Sequence, residues 1–172
     1  MTKLLRQASR AIERAQKSAL RKLAKTASTA AVKSIRNTYT IRAGEFKKKT
    51  RTTVHTGPRD PYAIFRVKGG AMKLTAFQVR QTRRGASVRI RKDKGRKLIR
   101  SAFIATMPSG HRNVFVRKTK KRTPLKGLYS TGPANMFRAE GEKAFTAAIA
   151  ENGEKVIRHE VERVIGKIGT AK

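Results

Sequence analysis

The first 43 residues contain neither glycine nor proline, and their apolar side chains recur at alternating spacings of three and four. That period places an apolar seam along one side of an α-helix. We predict one helix from about Thr2 to Asn37, roughly 50 Å long at the usual rise per residue. The seam is mostly alanine and buries little area, so we expect the helix to dock on a neighbour. The seam comprises Leu5, Ala8, Ile12, Ala15, Ala19, Leu23, Ala27, Ala31 and Ile35.

A short second helix fits Ile41 to Lys49, and from Tyr62 onward the apolar period falls to two. A period of two is typical of β-strands with one buried face. In one segment Val88 alternates with Ser87 and Arg89, which predicts one apolar and one basic face. The predicted strands are YAIFRVK, AFQVRQT, ASVRIRK, KLIRSAFIATM and NVFVRK.

Helical spacing returns after a connection broken by proline and glycine, Lys118 to Gly132, with Asn152-Gly153 as a candidate break. This order indicates the α+β class. We predict a long N-terminal helix, a central antiparallel β-sheet of about four to five strands, and C-terminal helices. Within a single domain, the chain divides into an N-terminal helical arm (1–49), a basic sheet region with its connecting loop (50–133) and a C-terminal helical segment (134–172).

The formal charge of +33 is confined to one part of the chain. Of the 43 Lys and Arg residues, 37 lie before residue 140, together with only four of the ten acids. The last 33 residues carry six acids and six bases and are therefore neutral. Such asymmetry indicates that a polyanion or an acidic protein surface faces one part of the molecule.

Few residues are available for catalysis or for a bound cofactor. The absence of cysteine excludes disulfides, thiolate zinc sites and cysteine nucleophiles. Between Phe46 and Ala139 the only carboxylates are Asp60 and Asp93, too few for a two-metal nuclease or a glycosidase. The histidines lack metal-ligand spacing, and His111 fits a turn or packing role. No apolar run reaches the roughly 18 residues of a membrane span. We expect no enzyme activity, cofactor, metal site or membrane contact.

One uncharged island, Ala102 to Gly110, interrupts the basic sheet region. We interpret it, with the strand after it, as the apolar centre of the sheet, supplied by Phe103, Ile104, Val114, Phe115 and Val116. Nothing nearby suggests a base-reading module such as a recognition helix, a zinc finger or an aromatic RNA-binding strand. Any DNA contact should therefore be made to phosphates, independently of sequence.

The segment from Arg80 to Lys118 resembles the minor tail protein Z family of long-tailed bacteriophages. A later segment, PLKGLYSTGPANMF, is similar to the family's Leu-Tyr-Gly-Pro region, but it has Lys126-Gly127 in place of a charged pair and an inserted Ser130-Thr131. The matching positions are Arg80, Gln81, Thr82, Gly95 to Ile99, Ala102 to Met107, Ser109 to Arg112, Val114, Phe115, Pro124, Leu125, Leu128, Tyr129, Gly132 and Pro133.

The resemblance implies a structural tail completion or neck protein of the virion. It would be assembled in the host cytoplasm and act in late tail assembly, head–tail joining and positioning of the DNA end. Long-tailed phage tails are stacks of rings, so we expect a homo-oligomeric ring, sixfold, around the DNA channel. The alternatives are a sequence-independent nucleic-acid-binding protein similar to a basic ribosomal protein and, more remotely, a nuclease.

The charge suggests two kinds of partner for such a ring. Six copies would bring about 200 positive charges, whereas duplex DNA through a ring ~40 Å tall presents about 24 phosphates. We therefore expect double-stranded DNA in the lumen and acidic surfaces on neighbouring tail or neck proteins. The candidates for DNA-phosphate contact are Arg83, Arg84, Arg89, Arg91, Lys92, Lys94, Arg96 and Lys97. The candidates for partner-protein contact are Lys47, Lys48, Lys49, Arg51, Arg117, Lys118, Lys120, Lys121 and Arg122.

Overall fold

A computed structural model describes residues 2–55 and 61–169 of the chain. Within these residues the chain forms four α-helices, ten β-strands, a 3-10 turn at Leu74–Ala76 and a π-helical turn at Phe137–Gly141. The helices are α1 (Thr2–Thr38), α2 (Ala43–Lys47), α3 (Pro133–Met136) and α4 (Glu142–Gly169). The strands are β1 (Thr50–His55), β2 (Tyr62–Val67), β3 (Met72–Lys73), β4 (Gln78–Thr82), β5 (Gly85–Arg89), β6 (Lys97–Arg100), β7 (Ala102–Thr106), β8 (Arg112–Arg117), β9 (Leu125–Gly127) and β10 (Tyr129–Ser130).

The chain forms two compact units. The helical unit gathers the described residues of 1–31, 50–66 and 142–172, and the sheet unit gathers residues 32–49 and 67–141. The predicted α+β class is confirmed, with the long N-terminal helix, antiparallel strands and a C-terminal helix. The division into arm, sheet region and C-terminal segment remains a prediction.

The predicted helices are present, but the candidate break at Asn152-Gly153 is wrong. Helix α4 runs through it without interruption. Asn152 donates its side-chain amide to the carbonyl oxygen of Ala148, one turn earlier, at 2.9 Å. A single glycine costs a helix only about 1 kcal/mol relative to alanine, which packing of the helix can offset.

The strands form several small antiparallel sheets rather than one. Those relevant to function are the three-stranded sheets β4-β5-β6 and β7-β8-β9, and β3 pairs with β10. The segment KLIRSAFIATM, predicted as one strand, is two, because Ser101 adopts a left-handed φ of 58° that ends β6 and begins β7. Strands β9 and β10 lie in the segment predicted as a broken connection. They are only three and two residues long, too short to show a period.

Two apolar clusters form the core of the sheet unit. The first joins the end of α1 to α2, the 3-10 turn and α3, with Ile35, Phe46, Phe77 and Met136 at most 1% exposed. The second lies under the sheets and contains Leu74, Ala86, Val88, Ala102 and Val114. The predicted alternation in β5 is confirmed, since Ala86 and Val88 are buried whereas Ser87 and Arg89 are half-buried.

The uncharged island supplies only part of the expected core. Ala102 and Val114 are core residues, and Ile104 packs against them. Phe103 points to the opposite face of β7, where it pairs across the strands with Phe115 at a centroid distance of 6.4 Å. Phe115 is buried, but Phe103 is half-buried, with the Arg117 guanidinium 4.9 Å above its ring. Phe103 is therefore not the core residue that was expected, because its side chain faces away from Ala102 and Ile104 and its ring is only partly covered.

The alanine seam of α1 is covered within the chain itself. Ala15, Ala19, Ala27 and Ala31 are all buried. This part of the seam therefore stabilises the protomer, whereas Ile12 of the same seam is 53% exposed, and docking on a neighbouring subunit remains a prediction. Small side chains let the helix approach its surroundings closely, although each buries little apolar area.

A buried carboxylate lies between α1 and α4 in the helical unit. The side chain of Glu160 has no exposed surface and pairs with Lys22 from α1 and, at 2.7 Å, with Arg163 from the next turn of α4. The hydrogen bond from Lys22 and then that from Arg163 lower the pKa of Glu160 from 4.5 to about 2, against the opposing effect of burial. Glu160 is therefore ionised at neutral pH, and its charge is fully compensated.

Candidate nucleic-acid interface

The outer face of the β4-β5-β6 sheet is basic. Arg80 on β4 lies opposite Ser87 on β5, and Gln78 lies opposite Arg89, so these side chains share one face. Arg100 ends β6 opposite Gly85 on the same face. Arg80 and Arg100 were not among the predicted contacts, because they lie outside the long basic runs. Their alternation with apolar Val79 and Ile99 was the signal that could have identified them.

The turn between β4 and β5 presents Arg83 and Arg84 to solvent. Gly85 has a φ of 149°, and a Cβ there would lie 2.1 Å from the carbonyl oxygen of Ile99, so only glycine fits. Gln81 braces the turn. Its amide nitrogen donates to the oxygen of Gly85 at 3.1 Å, and its oxygen accepts the Ile104 amide at 2.9 Å. The two arginines are therefore held on a fixed turn.

The loop between β5 and β6 contains most of the remaining predicted DNA contacts. Arg91 pairs with Asp93 at 2.9 Å and lies over the ring of Tyr39 at 5.3 Å. The hydrogen bond between Arg91 and Asp93 lowers the pKa of Asp93 and raises that of Arg91. Half-buried Arg89 donates to the carbonyl oxygen of Lys92. Both arginines are thus engaged within the chain, whereas the exposed members of the set are Arg83, Arg84, Lys92, Lys94, Arg96 and Lys97.

The two runs predicted to contact proteins occupy exposed positions. Lys47 ends α2, Lys48 and Lys49 form the turn before β1, and Lys48 pairs with Glu45 at 3.1 Å. Arg51 is exposed on β1 of the helical unit. The second run begins with Arg117, which stacks on Phe103 at the end of β8. It continues through an exposed loop that contains Lys118, Lys120, Lys121 and Arg122.

The histidines sit against aromatic rings or on the surface. His55 stacks on Tyr62 at 4.8 Å, and His111 lies edge-on to Phe115 at 6.2 Å. Within residues 2–55 and 61–169, no three histidine or carboxylate side chains are grouped so as to hold a metal ion. None of the helices in these ranges is both long and apolar enough to cross a membrane.

A comparison with protein-family models matches residues 2–167 to the prophage minor tail protein Z family. The chain belongs to this family. It is accordingly a structural protein of the phage tail, found in the virion and associated with other tail components. Comparisons with curated proteins and with solved structures find no match.

The segments that carry the family resemblance form one structural unit around the second core. The Ala102–Met107 segment contains β7, which ends at Thr106, and Ser109 to His111 lie in the turn before β8 begins at Arg112. Gln81 links the β4-β5 turn to β7 through the Ile104 amide. The resemblance therefore covers both the residues that build the core and those that fix the basic turn.

Proposed function

We propose that this protein completes the phage tail as a ring around the DNA channel. It acts in late tail assembly, prepares the tail to join a DNA-filled head and positions the DNA end. The observation that carries the proposal is the combination of family membership over residues 2–167 with an uncompensated basic sheet unit. Positive charge that is not paired within the chain favours a polyanionic partner.

In this proposal the exposed bases of the β4-β5 turn and the β5-β6 loop face double-stranded DNA in the lumen. Their contacts are to phosphates, so they are independent of sequence. The bases of residues 47–51 and 117–122 face acidic surfaces on neighbouring tail or neck proteins. Assembly takes place in the host cytoplasm before the tail becomes part of the virion.

The contact between copies in the proposed ring involves exposed apolar side chains of α4, because most alanines of the α1 seam are already buried. Ile157, Val161 and Ile165 lie one turn apart and are 53%, 40% and 62% exposed. Helix α4 also exposes acids such as Glu162, and α1 exposes bases such as Arg10. An apolar stripe flanked by complementary charge suits a contact between α4 of one copy and α1 of the next.

An assembly assay tests the proposal. Tails produced without this protein are expected to accumulate and fail to join DNA-filled heads, and addition of the purified chain should restore infectious particles. Electron microscopy of the restored tails should show a closed ring of this chain at the end that receives the head. Normal joining without the protein, or its recovery only in nucleoid or ribosome fractions, would contradict the proposal.

A further inference from the structure

The strongest unexplained feature of the sheet unit is a cleft lined by four arginines. It has a volume of about 430 Å³ and lies where the end of α1 and the link to α2 meet β4. Arg36 comes from the last turn of α1, Arg42 from the residue before α2, Arg80 from β4 and Arg96 from the loop before β6. These positions are far apart in sequence, and the fold brings them together.

The walls of this arginine cleft are fixed by backbone hydrogen bonds. The amide of Arg42 donates to Ala76 at 3.2 Å, and the amide of Thr40 donates to Ile90 at 2.9 Å. The amide of Lys92 donates to Thr38 at 2.8 Å. Two lining residues, Ile41 and Phe77, are 3% and 1% exposed and belong to the first core cluster. The cleft is therefore formed before any ligand arrives, which lowers the entropic cost of binding.

The positive charge of the cleft is not compensated within the described part of the chain. None of the lining residues is acidic. No carboxylate of residues 2–55 and 61–169 pairs with the four arginines, and the polar contact shown by their side chains is from Arg96 to the Gln78 side-chain oxygen at 3.4 Å. Arg91 differs, because Asp93 neutralises it. Four arginines that line one cleft without a counter-charge favour an anionic ligand.

We infer that the arginine cleft binds consecutive phosphate groups of a nucleic-acid backbone. The guanidinium fork matches phosphate oxygens in bidentate geometry. Arg80 also belongs to the basic face of the β4-β5-β6 sheet, so a backbone that leaves the cleft continues along a basic surface. The aromatic ring in the lining, Phe77, is buried and offers no base a stacking surface. The contacts are therefore to phosphates, which carry no sequence information, so binding is independent of sequence. The inference rests on the proposed function for its biological ligand and adds a defined site.

Salt-dependent binding of the purified chain to a short blunt-ended DNA duplex tests this inference. The cleft variant combines Arg36→Gln, Arg42→Gln, Arg80→Gln and Arg96→Gln. The control variant removes the same charge from the exposed loop, through Lys118→Gln, Lys120→Gln, Lys121→Gln and Arg122→Gln. Removing one base that binds a phosphate should reduce the slope of log affinity against log salt by about 0.9. We expect a reduction of about two to four for the cleft variant and less than about one for the control.

A second variant distinguishes phosphate recognition by the arginine geometry from non-specific attraction by positive charge. Replacing the four arginines with lysine keeps the charge but removes the bidentate fork. We expect it to retain most of the salt slope while its affinity falls several-fold. All variants should keep the melting temperature of the wild-type chain, because these side chains are exposed. Equal slopes for the cleft and control variants, or wild-type affinity for the lysine variant, would overturn the inference.

Two further results distinguish the ligand and the proposed function. If the cleft variant loses binding to poly-glutamate but keeps its DNA slope, the cleft binds an acidic protein and the inference is wrong. The cleft variant can lose DNA binding as expected while tails that lack this chain still join heads normally. In that case the cleft assignment is supported and the proposed function is wrong. If joining requires the chain but the DNA slope is unchanged, the proposed function stands and the cleft assignment fails.

Discussion

The helical unit and the sheet unit use charge in opposite ways. In the helical unit a fully buried carboxylate, Glu160, is enclosed by Lys22 and Arg163. In the sheet unit four arginines line an open cleft that contains no carboxylate. The units also pack differently, since the helix seam is alanine whereas the sheet unit buries bulky side chains such as Phe46 and Phe77.

This difference separates bases that stabilise the fold from bases available to a partner. A buried charge must be paired, because an unpaired one would carry an uncompensated desolvation cost. Exposed arginines gain little from a surface pairing and lose little without it. The sheet unit can therefore carry an uncompensated charge that a polyanion neutralises on binding. Substitutions at the paired, buried charge of the helical unit should affect folding. Substitutions at the exposed arginines of the sheet unit should affect binding.

The largest expected effect is on packing in the sheet unit. Phe115→Ala should lower the free energy of unfolding by about 3 to 4 kcal/mol, since the ring is buried. Phe103→Ala should cost only about 1 kcal/mol, because half-buried Phe103 leaves less of a cavity. Denaturant unfolding of the two variants checks this order. Equal losses would contradict the assignment of Phe103 to the surface of β7.

A slightly smaller effect is expected in the helical unit. Glu160→Gln removes the counter-charge of Lys22 and Arg163, and we expect a loss of about 2 to 3 kcal/mol in unfolding free energy. This loss is smaller than the roughly 3 to 5 kcal/mol expected when a fully buried ion pair is broken, because Lys22 and Arg163 are 53% and 40% exposed and can be hydrated. The matched control Glu162→Gln, at an exposed position of the same helix, should change stability by less than about 0.5 kcal/mol. Wild-type stability of Glu160→Gln would show that the paired charge is dispensable.

The same carboxylate predicts how stability depends on pH. Because folding lowers the pKa of Glu160 from 4.5 to about 2, its contribution is complete above pH 4.5 and is lost as the pH falls toward 2. The stability difference between the wild-type chain and Glu160→Gln should therefore shrink over this window. Unfolding curves of both proteins from neutral to acid pH measure it. A difference that stays constant down to pH 2 would rule out the ion pairs as its source.

How far the sequence predicted the structure differs between the units. Periodicity identified α1, α4 and the apolar face of β5, since each repeats over several residues. It failed at Ser101, where one left-handed residue divides a continuous apolar run. It also missed the covering of the alanine seam, because periodicity shows which face is apolar but not what packs on it. The arginine cleft could not be predicted, since Arg36 and Arg96 meet only through the fold.

The smallest expected effect concerns the one base of the β5-β6 loop that is neutralised by an acid. Asp93→Asn releases Arg91 from its ion pair. It should change the melting temperature little, because the Arg91 and Asp93 side chains are 35% and 54% exposed. It should also make the salt dependence of DNA binding steeper, by at most about one unit of slope. Titration with the same short duplex measures this, with Asp93→Glu as the charge-conserving control. An unchanged slope would indicate that Arg91 does not face the DNA.

The central claim is that the uncompensated charge of the sheet unit faces DNA in the assembled particle. A cryo-EM structure of the DNA-filled virion at the head–tail joint tests it most directly. We predict a ring of this chain with DNA backbone density within about 4 Å of the arginine cleft and of Arg83 and Arg84, as expected for ion pairs with phosphate. Acidic neighbouring proteins should face the bases of residues 117–122. If the arginine cleft and the β4-β5 turn instead lie on the outer rim, away from DNA, the account is contradicted.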